Sequence, residues 1–387
     1  MEWLLSFAMV LVVLAYTALI REGGMPLRRV GSHQAERPDR WPEVALIVPV
    51  TGAAPGLAMR LATLMTQDYP RYQVLLVTRD AKDPATPVIT GAIWGRPHVR
   101  HVVAGPAQGC AQKNYNLLAG IRLLGAGPQV LAFCDSNQMA PPTFLRDLVR
   151  PIACGEAAVT SGYHHVIPRE RGVASLARAV VVLMLYLTKG LSWFNQPWGG
   201  ATAIARELFD TLNVDCLWSR TVVDDVSLAA RLKKAHVRVS LAARATLTTV
   251  VDGDTLSDWT HWLFRQLIYL KFYFPGSWLA AGIFQIVVLA LVILAAAACL
   301  LAPWGWVSPA VSVPALLFLA ILTGQGLWMR RHHPCPGPPL PWLGAFYTAM
   351  FLGSWVYVQT GLTQTINWRG ISYRVNWRGE VVDIREG

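Results

Sequence analysis

Read as a string of apolar and polar positions, the chain has three textures. Residues Trp3 to Ile20 carry no charge. They are long enough to cross a hydrocarbon core of about 30 Å at about 1.5 Å per residue. Between Lys271 and Arg330 there is no Asp, Glu, Lys or Arg, and the stretch Pro303 to Pro309 splits this run into two helix-length pieces, 278–302 and 310–329. A further uncharged run from Leu343 to Thr365 is diluted by Gly, Ser, Thr and Gln; it reads as a third C-terminal span or as a helix lying in the interface.

The middle of the chain, from Trp41 to about Ala245, is different. Glu43–Val50, Gln73–Thr78, Val99–Val103 and Gln129–Cys134 are near-continuous apolar runs joined by helix-length segments. Such runs are expected of strands buried on both faces of a parallel sheet. The alternation predicts an α/β, doubly wound domain whose ligands bind beyond the carboxyl ends of the strands.

Composition agrees with this division. At 53% hydrophobic and 15% charged, with mean hydropathy +0.37, the chain is neither an ordinary water-soluble globule nor a disordered or fibrous one. A formal charge of +11 without a nucleic-acid motif points to anionic headgroups or phosphorylated substrates, not to nucleic acid. The six cysteines form no CxxC pair and read as reduced, unligated thiols. Only Glu2 precedes the first apolar run, which favours a retained anchor over a cleaved signal.

Arg21, Arg28, Arg29, Arg37 and Arg40 follow the first span, and Arg330 and Arg331 follow the third. The positive-inside rule therefore predicts an integral, multi-pass membrane protein with its middle domain in the cytoplasm; in a bacterium the membrane is the inner one. Four full crossings would leave Arg369, Arg374 and Arg378 outside. Either the last apolar run does not cross or the tail breaks the rule. The expected layout is an anchor at 1–21, a cytosolic domain at 41–250, an interfacial helix at 255–276, a membrane region at 277–365 and a tail at 366–387 that reads as a β-hairpin.

Candidate chemistry sits after the strands. Asp80 follows the second, and Asp135-Ser136-Asn137 follows the fourth. A carboxylate at a strand end is often only a cap or turn former, but an acid with a polar oxygen ligand two residues on suits a divalent cation bridging a diphosphate. Trp198-Gly199-Gly200 precedes a short helical stretch, and Asp224-Asp225 opens an amphipathic one. Two acids at a helix start are half explained by the macrodipole; the other half is a general base near an acceptor hydroxyl.

These strings resemble the ceramide glucosyltransferase family, including its bacterial hopanoid-associated relatives. They run in order: Gln67-Asp68-Tyr69-Pro70, Arg79 to Pro84, Gln112-Lys113-Asn114 with Asn116-Leu117, Asp135 to Asn137, Trp198 to Gly200, and Asp224-Asp225. The resemblance covers about 43 to 270. It implies a GT-A-type cytosolic domain between one N-terminal and two or three C-terminal transmembrane helices, and an inverting enzyme that takes a UDP-sugar as donor. It implies that Asp80, Lys113, Asn114, Asp135, Gly199, Gly200 and Gln266 bind the nucleotide-sugar, with Lys113 facing phosphate. Asp135 and Asn137 are the implied holders of Mg2+ or Mn2+; Asn137 stands where many relatives carry an acid, which implies weaker metal dependence. Asp225 is the implied base, with Asp224 before it.

One motif departs from the pattern. Where the family has Gln or Arg, two residues, then Arg-Trp, this chain has Trp262, two residues, then Arg265-Gln266. Arg265 keeps the cation that can stabilise a departing diphosphate, while Gln266 bears on substrate preference. His261 lies beside them on a segment bearing Trp259, Trp262, Phe264, Tyr269 and Phe272, which reads as a membrane-surface helix. The segment 172–194 reads either as an interfacial helix guiding a lipid acceptor or as a buried core helix. The tail repeats Asn367-Trp368-Arg369-Gly370 as Asn376-Trp377-Arg378-Gly379.

The favoured expectation is transfer of a sugar, glucose first, from a UDP-sugar to the hydroxyl of a membrane lipid such as ceramide. Alternatives are UDP-GlcNAc transfer to a hopanoid polyol and sugar transfer to polyprenyl phosphate. A transporter or scaffold is disfavoured because the spans lack the charged residues that mark a transport path.

Overall fold

The computed structural model describes residues 2–29, 38–125, 127–191 and 194–386; Arg37 of the basic cluster lies outside the described residues. The chain forms two compact units. One contains Met1–Pro26, His165–Gly190 and Val251–Thr363; the other contains Leu27–His164, Leu191–Val250 and Gln364–Gly387.

Along the chain, α1 (Glu2–Arg29) is followed by β1 (Val44–Pro49), α2 (Leu57–Met65), β2 (Tyr72–Thr78), α3 (Ala85–Ile93), β3 (Val99–Val103), α4 (Gln112–Arg122) and β4 (Val130–Phe133). Next come α5 (Phe144–Ala153), β5 (Val159–Pro168), α6 (Val173–Thr188), β6 (Thr202–Ala205), α7 (Arg206–Thr211), α8 (Val214–Trp218), α9 (Asp225–Lys234) and β7 (Ser240–Val251). The last part holds α10 (Leu256–Tyr273), α11 (Pro275–Leu301), α12 (Pro309–Arg330), α13 (Pro339–Gly361), β8 (Thr365–Trp368), β9 (Ile371–Val375) and β10 (Val381–Glu386).

The main sheet has the order β3-β2-β1-β4-β6-β5-β7. β1 pairs in parallel with β2 and with β4, and β2 with β3. β1 reads as a continuous apolar run because both its faces are covered: Leu46 and Val48 pack with Leu61 and Leu64 on one side, Ala45 and Ile47 with Leu117 and Leu228 on the other. Burying each such side chain contributes about 1.5–3 kcal/mol. The chain winds outward through β2 and β3, then returns to β4 on the far side of β1. This makes the carboxyl ends of β1 and β4 the topological switch point, where α/β sheets bind ligands.

The sheet is mixed beyond the parallel half that the apolar runs predicted. β6 is antiparallel to β4, and β5 to β6. Neither strand stood out in the sequence, because β6 is only four residues long and β5 carries Thr160, Ser161, His164 and His165 among its apolar positions.

The other unit is helical. Among the described residues three helices are long and apolar enough to cross a membrane: Ser6–Gly24, Pro275–Trp304 and Pro309–Arg330. Their outward side chains, such as Leu279, Ile283 and Leu316, are more than half exposed, the arrangement expected where the surroundings are lipid. A Cβ on Gly282 of α11 would meet the Tyr357 ring of α13, the close approach that small residues permit between helices. α10 starts at a capping box, with Thr255 and Asp258 exchanging bonds. Its aromatics are not the exposed belt the sequence suggested: Trp259, Tyr269 and Phe272 are buried within the unit, where α10 packs on α13, α11 and α6. Lys271, 5% exposed, donates to the carbonyls of Thr360, Gly361 and Thr363 at 2.9, 3.3 and 2.8 Å. It thereby caps the end of α13.

The tail makes three antiparallel strands, β10-β9-β8, and belongs to the α/β unit. Val381 N–H donates to the Arg220 carbonyl at 2.8 Å, Thr221 bridges Glu380, and Arg79 pairs with Glu386.

Candidate active site

The switch point gathers four of the sequence-predicted acids and bases. Asp135 is placed just past β4. Lys113 comes from the first turn of α4, and its Nζ lies 2.9 Å from Asp135 Oδ1 and 3.1 Å from Asp224 Oδ2. Asp224 and Asp225 arrive from the start of α9. Asp225 Oδ2 accepts from Gly199 N–H at 2.9 Å and Oδ1 from Val226 N–H at 2.7 Å.

The backbone must approach closely here. A Cβ on Gly199 would stand 2.5 Å from Asp224 Oδ2 and 2.7 Å from Lys113 Nζ, and one on Gly200 would collide with the Trp198 ring. Gly199 leaves room for the ionic cluster and Gly200 for the Trp198 ring, and both offer backbone, not side-chain chemistry.

Three carboxylates face one ammonium, and the cluster is largely withdrawn from water: the side chains of Lys113 and Asp224 are 14% and 3% exposed. Burial pushes the Asp224 carboxyl up to about 6; Lys113 pulls it down, while Asp225 and Asp135 add to the rise. For Lys113 burial works against the charge, yet Asp135, Asp224 and Asp225 together hold its pKa above the ordinary lysine value. Both groups are thus shifted upward, Asp224 chiefly by burial and Lys113 by the three acids that outweigh its burial.

The remaining predicted residues take different places. Asp80 is exposed after β2, and its Oδ1 accepts from Lys82 N–H at 2.8 Å. Asn114 is fully buried; its amide donates to the Thr221 carbonyl and hydroxyl at 3.0 and 3.1 Å, so it anchors the segment that leads to Asp224. Asn137 Oδ1 accepts from Gln138 Nε2 at 2.9 Å. Gln138 continues through Thr249 to His164, whose ring stacks on Trp198 at 4.2 Å. Arg265 and Gln266 lie on α10, in the helical unit. Arg265 is half-buried, while Gln266 and His261 are exposed.

Sequence reasoning passed over Asp83. Its carboxylate accepts from Thr51 Oγ1 at 3.0 Å, Gly52 N–H at 2.9 Å and Ala85 N–H at 2.8 Å, fixing the loop after β1. The Asp-Pro pair ahead of a helix was the available signal.

No group of three or more His, Cys, Asp or Glu among the described residues has the arrangement of a protein-built metal cage. The oxygen donors at Asp135, Asp224 and Asp225 are nevertheless the class that Mg2+ and Mn2+ prefer. A cation held by one or two carboxylates, with phosphate and water completing its shell, fits this donor set.

The sheet order, with an acid-lined crevice at its switch point, defines a GT-A-type glycosyltransferase fold. Residues 5–381 match the family described as "Glycosyl transferase family 21". The chain belongs to that family and is a glycosyltransferase, which bears out the resemblance carried by the motifs. Among solved structures it is similar to the mannosyltransferase PcManGT from Pyrobaculum calidifontis, in complex with GDP-Man and Mn2+. The identity is 18%, the coverage 90% of this chain and 99% of that one, and the TM-score 0.54. A second similar structure is the M. tuberculosis glucosyl-3-phosphoglycerate synthase, at 15% identity, 59% and 80% coverage and TM-score 0.40.

Proposed function

We propose that this family 21 enzyme transfers a sugar from a UDP-sugar to the hydroxyl of a membrane lipid with inversion at the anomeric carbon. Glucose is the favoured sugar and ceramide the favoured kind of acceptor. The observation that carries the reading is the buried Asp135–Lys113–Asp224 cluster, with Asp225 beside it, at the switch point of the sheet.

In this account Asp225 accepts the proton of the acceptor hydroxyl as its oxygen attacks the anomeric carbon, and the nucleoside diphosphate departs. The two N–H donors on Asp225 hold the carboxylate in one orientation for that task. Lys113 lies where it can balance phosphate charge as well as the acids. Asp80 at the end of β2 serves the nucleotide, and Asn114 acts by positioning the Asp224 segment. A bound Mg2+ or Mn2+, held by Asp135 with Asn137 nearby, supplies charge neutralisation to the diphosphate. Arg265 is assigned the charge of the leaving diphosphate.

The tail strands belong to the same unit as the main sheet, and this supports a reading in which both lie on the side that the positive-inside rule makes cytoplasmic. On this reading α1, α11 and α12 are the crossings and α13 does not fully cross, an arrangement that keeps Arg369, Arg374 and Arg378 on the cytoplasmic side. A membrane-impermeant maleimide applied to intact cells should label Ser308→Cys, between α11 and α12, and spare Cys335, between α12 and α13. Labelling of Cys335 alone would invert the assignment.

The direct test of function is purified protein in detergent with radiolabelled UDP-sugars and a panel of ceramide, hopanoid polyol and polyprenyl phosphate acceptors. A β-linked lipid glycoside from an α-linked donor supports the reading. A retained anomeric configuration, or label found only on a non-lipid acceptor, refutes it.

A further inference from the structure

The twin tetrapeptides of the tail share the sequence Asn-Trp-Arg-Gly but not its geometry. In the first copy Arg369 has φ 53 and Gly370 φ 76, whereas in the second only Gly379 is positive, at φ 79. Trp368 pairs with Ile371 across β8 and β9, so Arg369-Gly370 is a two-residue hairpin loop of the type that demands positive φ at both positions. Asn or Gly ordinarily fills the first of these. An arginine backbone held there is strained, and strain kept in a fold marks a position worth reading for function.

Arg369 is placed beside the loop that follows β1. A methyl built on Gly52, just past β1, would lie 4.0 Å from an Arg369 Nη1. The Gly52 loop is itself fixed, through its N–H bond to Asp83. Three contacts hold the tail sheet against segments around the switch point: Gln112 N–H, at the start of α4, donates to Tyr373 Oη at 3.2 Å, Val381 bonds Arg220 ahead of α9, and Arg79 after β2 pairs with Glu386. Arg369 is exposed. In contrast to Arg79, it has no carboxylate partner among the described residues.

We propose that Arg369 binds the diphosphate of the sugar donor, and that the C-terminal sheet forms one wall of the donor site. The proposal rests on the nucleotide-sugar reading above. A planar guanidinium can grip two phosphate oxygens at once, and it stands beside the end of β1, across the switch point from Asp135 at the end of β4. The second copy, with Arg378 in an ordinary backbone conformation, supplies an internal control of the same sequence.

The experiment is calorimetric titration of the full-length protein in detergent with UDP and with uridine, for wild type, Arg369→Asn, Arg369→Lys and Arg378→Ala. Asn is at home in this loop, so Arg369→Asn should melt no lower than wild type. It should bind UDP about tenfold more weakly or worse, the expected loss of a charge-assisted bond, while uridine binding stays within about threefold. Arg369→Lys should fall between, and Arg378→Ala should match wild type. Unchanged UDP affinity in Arg369→Asn, an equal loss for uridine and UDP, or the same loss in Arg378→Ala overturns the inference while leaving the functional reading in place. A wild-type protein that does not bind UDP overturns both.

Discussion

The two units of this chain use apolar residues for opposite purposes. In the α/β unit Val44 to Val48 of β1 are all at 0% exposure, sealed by helices on both faces. In the helical unit Leu279, Ile283 and Leu294 of α11 stand about half exposed at 55%, 56% and 49%. Charge shows the reverse contrast. The α/β unit withdraws Lys113 and Asp224 into a paired cluster, while α11 carries no charge and α12 only its terminal Arg330. Similar hydropathy thus serves a core in one unit and, in the other, an exposed apolar surface on helices long enough to cross a membrane. The bond-changing chemistry is to be sought where buried charge is concentrated.

The sharpest way to break that comparison is to remove the proposed base. Asp225→Asn should lower turnover by about 10²–10⁴-fold while UDP binding stays within a few-fold, because a general base acts on the proton and not on the nucleotide. Initial rates with calorimetry on the same preparation separate the two effects.

Next in size is the buried cation. Lys113→Met leaves Asp224 without its counter-charge, and breaking one side of a buried pair costs about 3–5 kcal/mol. Thermal melting in detergent should show a large drop in Tm. A variant that melts like wild type would mean that Asp224 takes up a proton at no cost and that the cluster is not what organises the crevice.

A smaller effect is expected from the helical unit. Arg265→Lys keeps the charge but loses the planar fork, so turnover at saturating donor should fall by at least about tenfold, equivalent to roughly 1.4 kcal/mol. Membrane insertion should be unaffected. Wild-type turnover in this variant would reduce Arg265 to a structural or headgroup-facing residue.

The last effect is one of pH, read as stability and not as rate. Asp224 binds its proton more tightly folded, near 6, than at its ordinary 3.8. An acid raised in this way leaves stability untouched below its unfolded value and subtracts from it as pH rises through the window from 3.8 to about 6. Wild type should therefore lose Tm steadily between those limits relative to Asp224→Asn. Parallel melting curves for the two proteins would remove Asp224 from the pH account.

What was legible in the sequence follows from what each residue answers to. The parallel strands could be read because burial on both faces leaves continuous apolar runs. The acids after β4 and before α9 could be read because strand ends and helix starts are local signals. The salt bridges from Lys113 to Asp135 and Asp224 could not, since the partners come from three separate elements and meet only in the folded sheet. The role of Lys271 was hidden for the same reason: its acceptors, Thr360 to Thr363, are some ninety residues away. β5 and β6 escaped because a short strand and a polar-rich strand lack a clear period. The aromatics of α10 suggested a surface helix because composition cannot tell a residue packed on other helices from one facing headgroups.

The central claim is that Asp225, and not its neighbour Asp224, takes the acceptor proton in a lipid glycosylation. The measurement is the initial rate of glycolipid formation by wild type, Asp225→Asn and Asp224→Asn, at saturating donor and matched nucleotide occupancy. The account predicts that Asp225→Asn loses about 10²-fold or more in rate, with UDP affinity preserved, and that Asp224→Asn loses less rate. Near-normal turnover by Asp225→Asn alongside a dead Asp224→Asn would contradict it.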